Sequence, residues 1–198
     1  AGEVQYSIAY GHVNGSGSLN FTNDVGAKGK SASGATYAQY RNLVFGDDTI
    51  SNFSFDGFTP DDIYIINVRR SRYRNGLKPG TLNLHLSGAN TGGVGLTVHL
   101  TDDSVSSTGI NFMGLTPTTT SGSYGHFYPD SGIMILNALA LSQSGVIISQ
   151  SADQLGDNVN PTGMLELHHA ISRSSYFIVD SEEKISSQYF FVRCRNNE

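Results

Sequence analysis

The stretch TLNLHLSG, residues 81–88, leaves the backbone little choice. Leu82, Leu84 and Leu86 recur with period two, with Asn83 and His85 between them. A strand puts alternate residues on opposite faces, so the leucines point inward and the polar pair outward. VQYSIAYGH (4–12) repeats the pattern with Val4, Tyr6, Ile8 and Tyr10 on one face. In DDIYIINVRRSRY (61–73), Ile63, Ile65 and Asn67 face one way and Tyr64, Ile66 and Val68 the other. GVGLTVHLTDDS (93–104) pairs naturally with 81–88. The expected fold is therefore mainly β, an antiparallel sandwich or barrel-like sheet. One or two short helices and long Gly/Ser-rich loops complete it.

The strongest helix signal is ATYAQYRNLVFG (35–46). Tyr37, Tyr40 and Val44 lie at i, i+3 and i+7 with Leu43 beside them, and Gly46 suits a left-handed end. MLELHHAIS (164–172) is a second candidate. GIMILNALAL (132–141) reads as a strand from Gly132 to Leu136 running into a helical turn. DDTISNFSFDGF (47–58) places Ile50, Phe53 and Phe55 around a DG turn, and GLKPG fits a type II turn with Gly80 after Pro79. GVIISQS, SSYFIVDSEE and SSQYFFVRCR read as strands. TPTTTSGSYGHFYPDSG (116–132) reads as a long polar turn region, and 13–35 and 142–163 as loops. No repeat of fixed period is present, so residues 1–198 are expected to form one β-rich domain.

Composition narrows the function classes. Glycine supplies 23 of 198 residues, against a usual ~7%, and charged residues only 15%. That balance suits a loop-rich β protein with neutral polar surfaces. The single cysteine, Cys194, rules out an intramolecular disulfide framework and a cysteine-based zinc site. No apolar run reaches 18 residues, so no transmembrane helix is expected. The ends, strand-like VQYSIAY and FVRCRNNE, suggest a processed chain or a piece of a longer one.

Candidate chemistry is sparse. GHVNGSGS (11–18) matches neither GxxxxGK[ST] nor GxGxxG, and GSYG (122–125) misses the nucleophile-elbow pattern, leaving Ser123 little claim. Glu166 and His169 stand at i, i+3 in ELHH, yet a metal requires a third ligand, and HExxH is absent. Surface or packing roles fit His12, His85, His99, His126, His168 and His169 better. The acidic pairs Asp47–Asp48, Asp61–Asp62, Asp102–Asp103 and Glu182–Glu183 read as solvated caps or turn formers. No enzyme, no cofactor and no metal is expected.

One cluster stands apart. VRRSRYRNGLKPG (68–80) holds Arg69, Arg70, Arg72, Arg74 and Lys78, five of the 12 Lys and Arg in a chain of net charge -5. Nucleic acid fits poorly, because Asp61 and Asp62 precede the cluster and no aromatic stacking platform accompanies it. Two readings stand: a solvated loop, or a rim that pairs with carboxylates within the chain or across an interface.

Five stretches, in order, carry a resemblance. YSIAYGHVNGSGS, YAQYRNLVFGD, IYIINVRRSRYRNGLKPGTLNLHL, GHFYPDSGIMILN and SQYFFVRCRNNE resemble a virion structural protein of contractile-tailed bacteriophages, the T4-like phages of marine cyanobacteria and their relatives. The family pattern has a "YxQYRNL" helix, an "RxRYKxxLxPG" hairpin, a "YP..GIxxLN" motif and a "YFVRxxNxE" strand. The likeness has gaps at 86–120 and 142–185. It departs at Arg74 and Asn75, where the family has Lys and an acid. It implies a non-enzymatic part of the tail or baseplate, assembled in the host cytoplasm, and a chain that is the N-terminal part or a fragment of a longer one. Its partners would be other virion proteins and copies of itself in a symmetric assembly. Expected contact residues are Arg69, Arg70, Arg72, Arg74 and Lys78, then Tyr37, Tyr40, Arg41, Tyr73, His126, Tyr128 and Pro129. Rival expectations are a receptor- or carbohydrate-binding β module, a capsid or neck decoration protein, and a cell-wall hydrolase using a carboxylate such as Glu166.

Overall fold

A computed structural model describes residues 3–14, 33–46, 51–88, 96–103, 113–116, 118–119, 122–147, 159–183 and 185–191. Most of the two expected loop regions, together with Ile50 and Cys194, lies outside these residues. In chain order the elements are β1 (Tyr6–His12), α1 (Ser33–Phe45), β2 (Asp62–Val68), β3 (Gly76–Leu77), β4 (Asn83–Ser87) and β5 (Thr97–Asp102). There follow β6 (Met113–Thr116), β7 (Thr118–Thr119), β8 (Gly122–Ser123), β9 (Gly125–Tyr128), β10 (Ile133–Asn137), α2 (Ala138–Gln143), α3 (Val159–Ser174), β11 (Phe177–Ile178) and β12 (Ser181–Glu182).

Eight strands form one antiparallel sheet in the order β1-β2-β10-β9-β6-β5-β4-β11. The fold is mainly β, as the alternation implies. The helices exceed the expected one or two short ones: α1 has 13 residues and α3 has 16.

The centre of the sheet is buried on both faces. Ile63 and Ile65 of β2 join Ile133 and Ile135 of β10 in one cluster, roofed by Tyr37 of α1 and by Phe53 and Phe55. Tyr64, Ile66 and Val68 face the opposite cluster with Met134, Leu136, Phe127 and the leucines of β4. α3 covers this second face through Leu167, Ala170 and Ile171, at helical spacing. It touches both β1 and β4, which stand far apart in strand order, so the sheet curls around it. The curl stops short of closure. The Tyr6 and Phe177 rings of the two edge strands meet at 5.2 Å, but no ladder joins β1 to β11.

Turn chemistry behaves as its residues dictate. Asp56 and Gly57 both have positive φ, 52° and 87°, the signature of a type I′ hairpin turn, and Phe55 and Phe58 exchange backbone hydrogen bonds across it. Gly46 ends α1 at φ 77°. Asn137 switches β10 into α2: its Oδ1 accepts from Leu139 N and Ala140 N, while its Nδ2 donates to Ser123 O.

Four expectations change. The supposed polar turn at 116–132 contains β9, an inner strand whose Phe127 and Tyr128 alternate between the two cores. Of GVIISQS (145–151), residues 145–147 turn instead of forming a strand, with Val146 and Ile147 buried, and 148–151 lie outside the described residues. SSYFIVDSEE yields only the short β11 and β12; of SSQYFFVRCR (186–195), residues 186–191 form no strand and 192–195 lie outside the described residues.

Asn137→Ala removes the α2 cap and strands the buried Ser123 carbonyl. It should lower the unfolding free energy by about 2–4 kcal/mol, read as a shifted urea midpoint with an unchanged slope.

Candidate functional site

The basic stretch is a crossover, not a hairpin. β2 ends at Val68, and Arg70–Arg72 form one 3₁₀ turn. Arg69 N donates to Gln5 O at 2.9 Å, tying the turn to β1, and Arg72 N donates to Arg69 O at 2.8 Å. The chain then passes to β3, which pairs with β12, and reaches β4 at the far side of the sheet. Gly80, at φ 84°, makes the bend after Pro79. Asp102 holds that bend, its Oδ1 accepting from Gly80 N at 2.7 Å and its Oδ2 from Leu82 N at 3.2 Å.

Tyr73 braces the turn from beneath. It is buried, and its hydroxyl donates to Ser131 O at 2.7 Å. A Cβ on Gly132 would come within 2.6 Å of the Tyr73 phenol, so a glycine there lets the ring in. The Arg70 guanidinium lies 4.5 Å over the Tyr73 ring and its Nη1 donates to Tyr73 O at 3.1 Å. Arg72 Nη2 lies 2.6 Å from Glu3 Oε2, and Arg74 Nη1 lies 2.8 Å from Glu183 Oε1. The Arg74 pair is exposed, so it contributes only ~0–1 kcal/mol. These contacts give the turn a shape more than they stabilise the fold. Arg69 and Lys78 are exposed and form no ion pair among the described residues.

The other expected contact residues divide. Tyr37, Tyr73, Tyr128 and Pro129 are buried within the chain. Tyr37 Oη accepts from Phe53 N at 3.2 Å, and Pro129 O accepts from Leu77 N at 2.9 Å. Tyr40 packs against the first core, and Arg41 stands 6.0 Å from the Tyr37 ring. His126 packs its ring 4.7 Å from Phe55, and burial pushes its imidazole down to about 4, so it is neutral near pH 7. Accessible and close in sequence are Arg69, Arg70, Arg74 and Lys78.

A second polar cluster sits under α3, where sequence reasoning placed only turn-forming acids. Asp62, the second of an acidic pair, is buried, and Tyr10 Oη donates to its Oδ2 at 3.3 Å. Burial pushes the Asp62 carboxyl up to about 6, with the Tyr10 hydrogen bond opposing. Glu166 of α3 acts on the same tyrosines, and burial pushes the Tyr10 and Tyr64 phenols upward. The Tyr64 hydroxyl is buried without a hydrogen-bond partner among the described residues. The one sequence signal was register: Asp62 shares the inward parity of Tyr64 and Ile66. His168 and His169 are exposed. His85 and His99 stack face to face at 3.7 Å across β4 and β5, with Tyr176 at 4.3 Å beyond. Among the described residues no three His, Cys, Asp or Glu side chains are placed to hold a metal. No described helix is long and apolar enough to cross a membrane.

No protein-family model, curated protein or solved structure matches the chain.

The Asp62 carboxyl fixes the sign of a pH effect. Its folded pKa lies above the unfolded value, so the folded state holds the proton more tightly. The stabilisation is full below the unfolded pKa near 3.8 and is lost as pH rises through about 6. Asp62→Asn should therefore be more stable than the parent at pH 7, by up to roughly 3 kcal/mol at ~1.4 kcal/mol per pKa unit. The advantage should vanish near pH 4. Urea midpoints from pH 4 to 8 measure both.

Proposed function

We propose that the chain is a non-enzymatic structural component of a bacteriophage virion, in the tail or baseplate. It acts by packing against neighbouring virion proteins and copies of itself in a symmetric assembly. The placement draws on the five ordered stretches that resemble the phage family. The mode of action draws on one observation, the arginine turn braced by Tyr73.

That turn has the properties of a docking surface. Arg70 is held in place by its own aromatic platform, so less side-chain freedom is lost when a partner binds. Arg69 and Lys78 are exposed. Guanidinium groups take carboxylates in a two-point grip, which sets register between subunits as well as affinity. In a chain of net charge -5, identical copies also supply acidic groups to meet it.

The test is incorporation into particles of the virus that encodes the chain. The parent should co-sediment with tails, and binding should weaken as salt rises. A variant carrying Arg69→Ala, Arg70→Ala, Arg74→Ala and Lys78→Ala should remain folded and bind about tenfold or more weakly. A parent that binds glycans and ignores the particles, or a variant that incorporates as the parent does, sinks the reading.

A further inference from the structure

We propose that residues 185–191 of one copy add as a strand to the free edge of β1 in a second copy. Tyr189 and Phe191, which share one face of such a strand with Ile185, fill the cleft between β1 and β11.

The acceptor is an uncompleted sheet. Gln5 O accepts from Arg69 N and Val13 N donates to Asp61 O, so the odd-numbered residues of this segment bond toward β2. The backbone groups of Tyr6 and Ile8 therefore point away from β2, to the open side. On the facing edge, His85 N donates to Tyr176 O, so even-numbered residues bond toward β4 and those of Phe177 point away. Among the described residues no ladder spans the gap. A cleft of about 460 Å³ occupies it, lined by Tyr6, Val68, Arg72, Leu77, Phe177 and Val179. Arg72 Nε is buried there with no hydrogen-bond partner among the described residues, a donor that an incoming carbonyl would satisfy. The far half of β1 is covered by α1 and α3, so the opening lies at its Tyr6 end.

The donor is on the same chain. Ile185, Tyr189, Phe190 and Phe191 are 82–97% exposed and belong to no strand or helix. Tyr and Phe favour strands, and an unpaired strand former awaits an edge. Tyr189 and Phe191, on one strand face, bury roughly 150–250 Å² each. With Ile185 and the backbone, that approaches the ~800 Å² per partner of a stable interface. An acceptor and a donor carried by one sequence make a second copy the occupant.

The inference is separable from the arginine surface, because it rests on apolar burial and backbone pairing. Molar mass by light scattering, up to ~100 μM chain, should show concentration-dependent assembly that persists at high salt. The four-residue alanine variant of the arginine turn should assemble like the parent. Tyr189→Glu with Phe191→Glu alters side chains exposed in the single chain, so it should fold normally yet assemble at least ~10-fold more weakly. Hydrogen exchange gives the acceptor: amides of Tyr6 and Ile8 should slow as the parent assembles and stay fast in the glutamate variant. A parent that remains monomeric overturns the proposal. So do a glutamate variant that assembles normally, and β1 amides that exchange alike at every concentration.

Discussion

Burial of the β2–β10 pair on both faces is the constraint on which everything else hangs. Ile63 and Ile65 look into one core and Tyr64, Ile66 and Val68 into the other. Each fully buried side chain of this size contributes ~1.5–3 kcal/mol, and β2 carries four in a row, Ile63 to Ile66, with Val68 beyond Asn67. A strand so placed needs covers on both sides. α1 with Phe53 and Phe55 supplies one; α2 and α3 supply the other. The curl of the sheet follows, because β1 and β4 must both reach α3. The gap beside β1 is what an eight-stranded sheet leaves when it wraps a helix without closing.

The same arrangement positions the basic turn. The chain leaves the buried pair at Val68 and must cross to β3, so it emerges at the surface where the arginines stand. Tyr73 returns to the core and carries Arg70 on its ring. The cations are thus exposed because of where the strand ends, and ordered because of where the tyrosine goes. Asp62, at the other end of β2, shows the converse. Its residue type suits a solvated turn, but strand parity points it under α3, where burial holds its proton.

Legibility in the sequence tracked local periodicity. The faces of β1, β2 and β4, the β10-to-α2 switch at Asn137, and the caps and turns at Gly46, Asp56–Gly57 and Gly80 were all readable, because each depends on neighbours a few residues away. β9 was not. GHFY is four residues long, contains a glycine and a histidine, and becomes a strand only because β10 and β6 flank it. For SSQYFF the reverse applies: its residues prefer a strand, but no strand among the described residues pairs with it. At the basic surface the cations were legible. The burial of Tyr37, Tyr73, Tyr128 and Pro129 was not, since an aromatic or a proline reads alike on a surface and in a core.

The sequence by itself determined the β character, the inward parity of each long strand and the clustering of arginine at 69–74. These follow from alternation, turn residues and charge, which act over short range. Tertiary structure alone decided strand order, the wrap around α3, the crossover that replaced a hairpin and the opening beside β1. Those depend on which distant apolar faces meet, a choice made by the whole core rather than by any one segment.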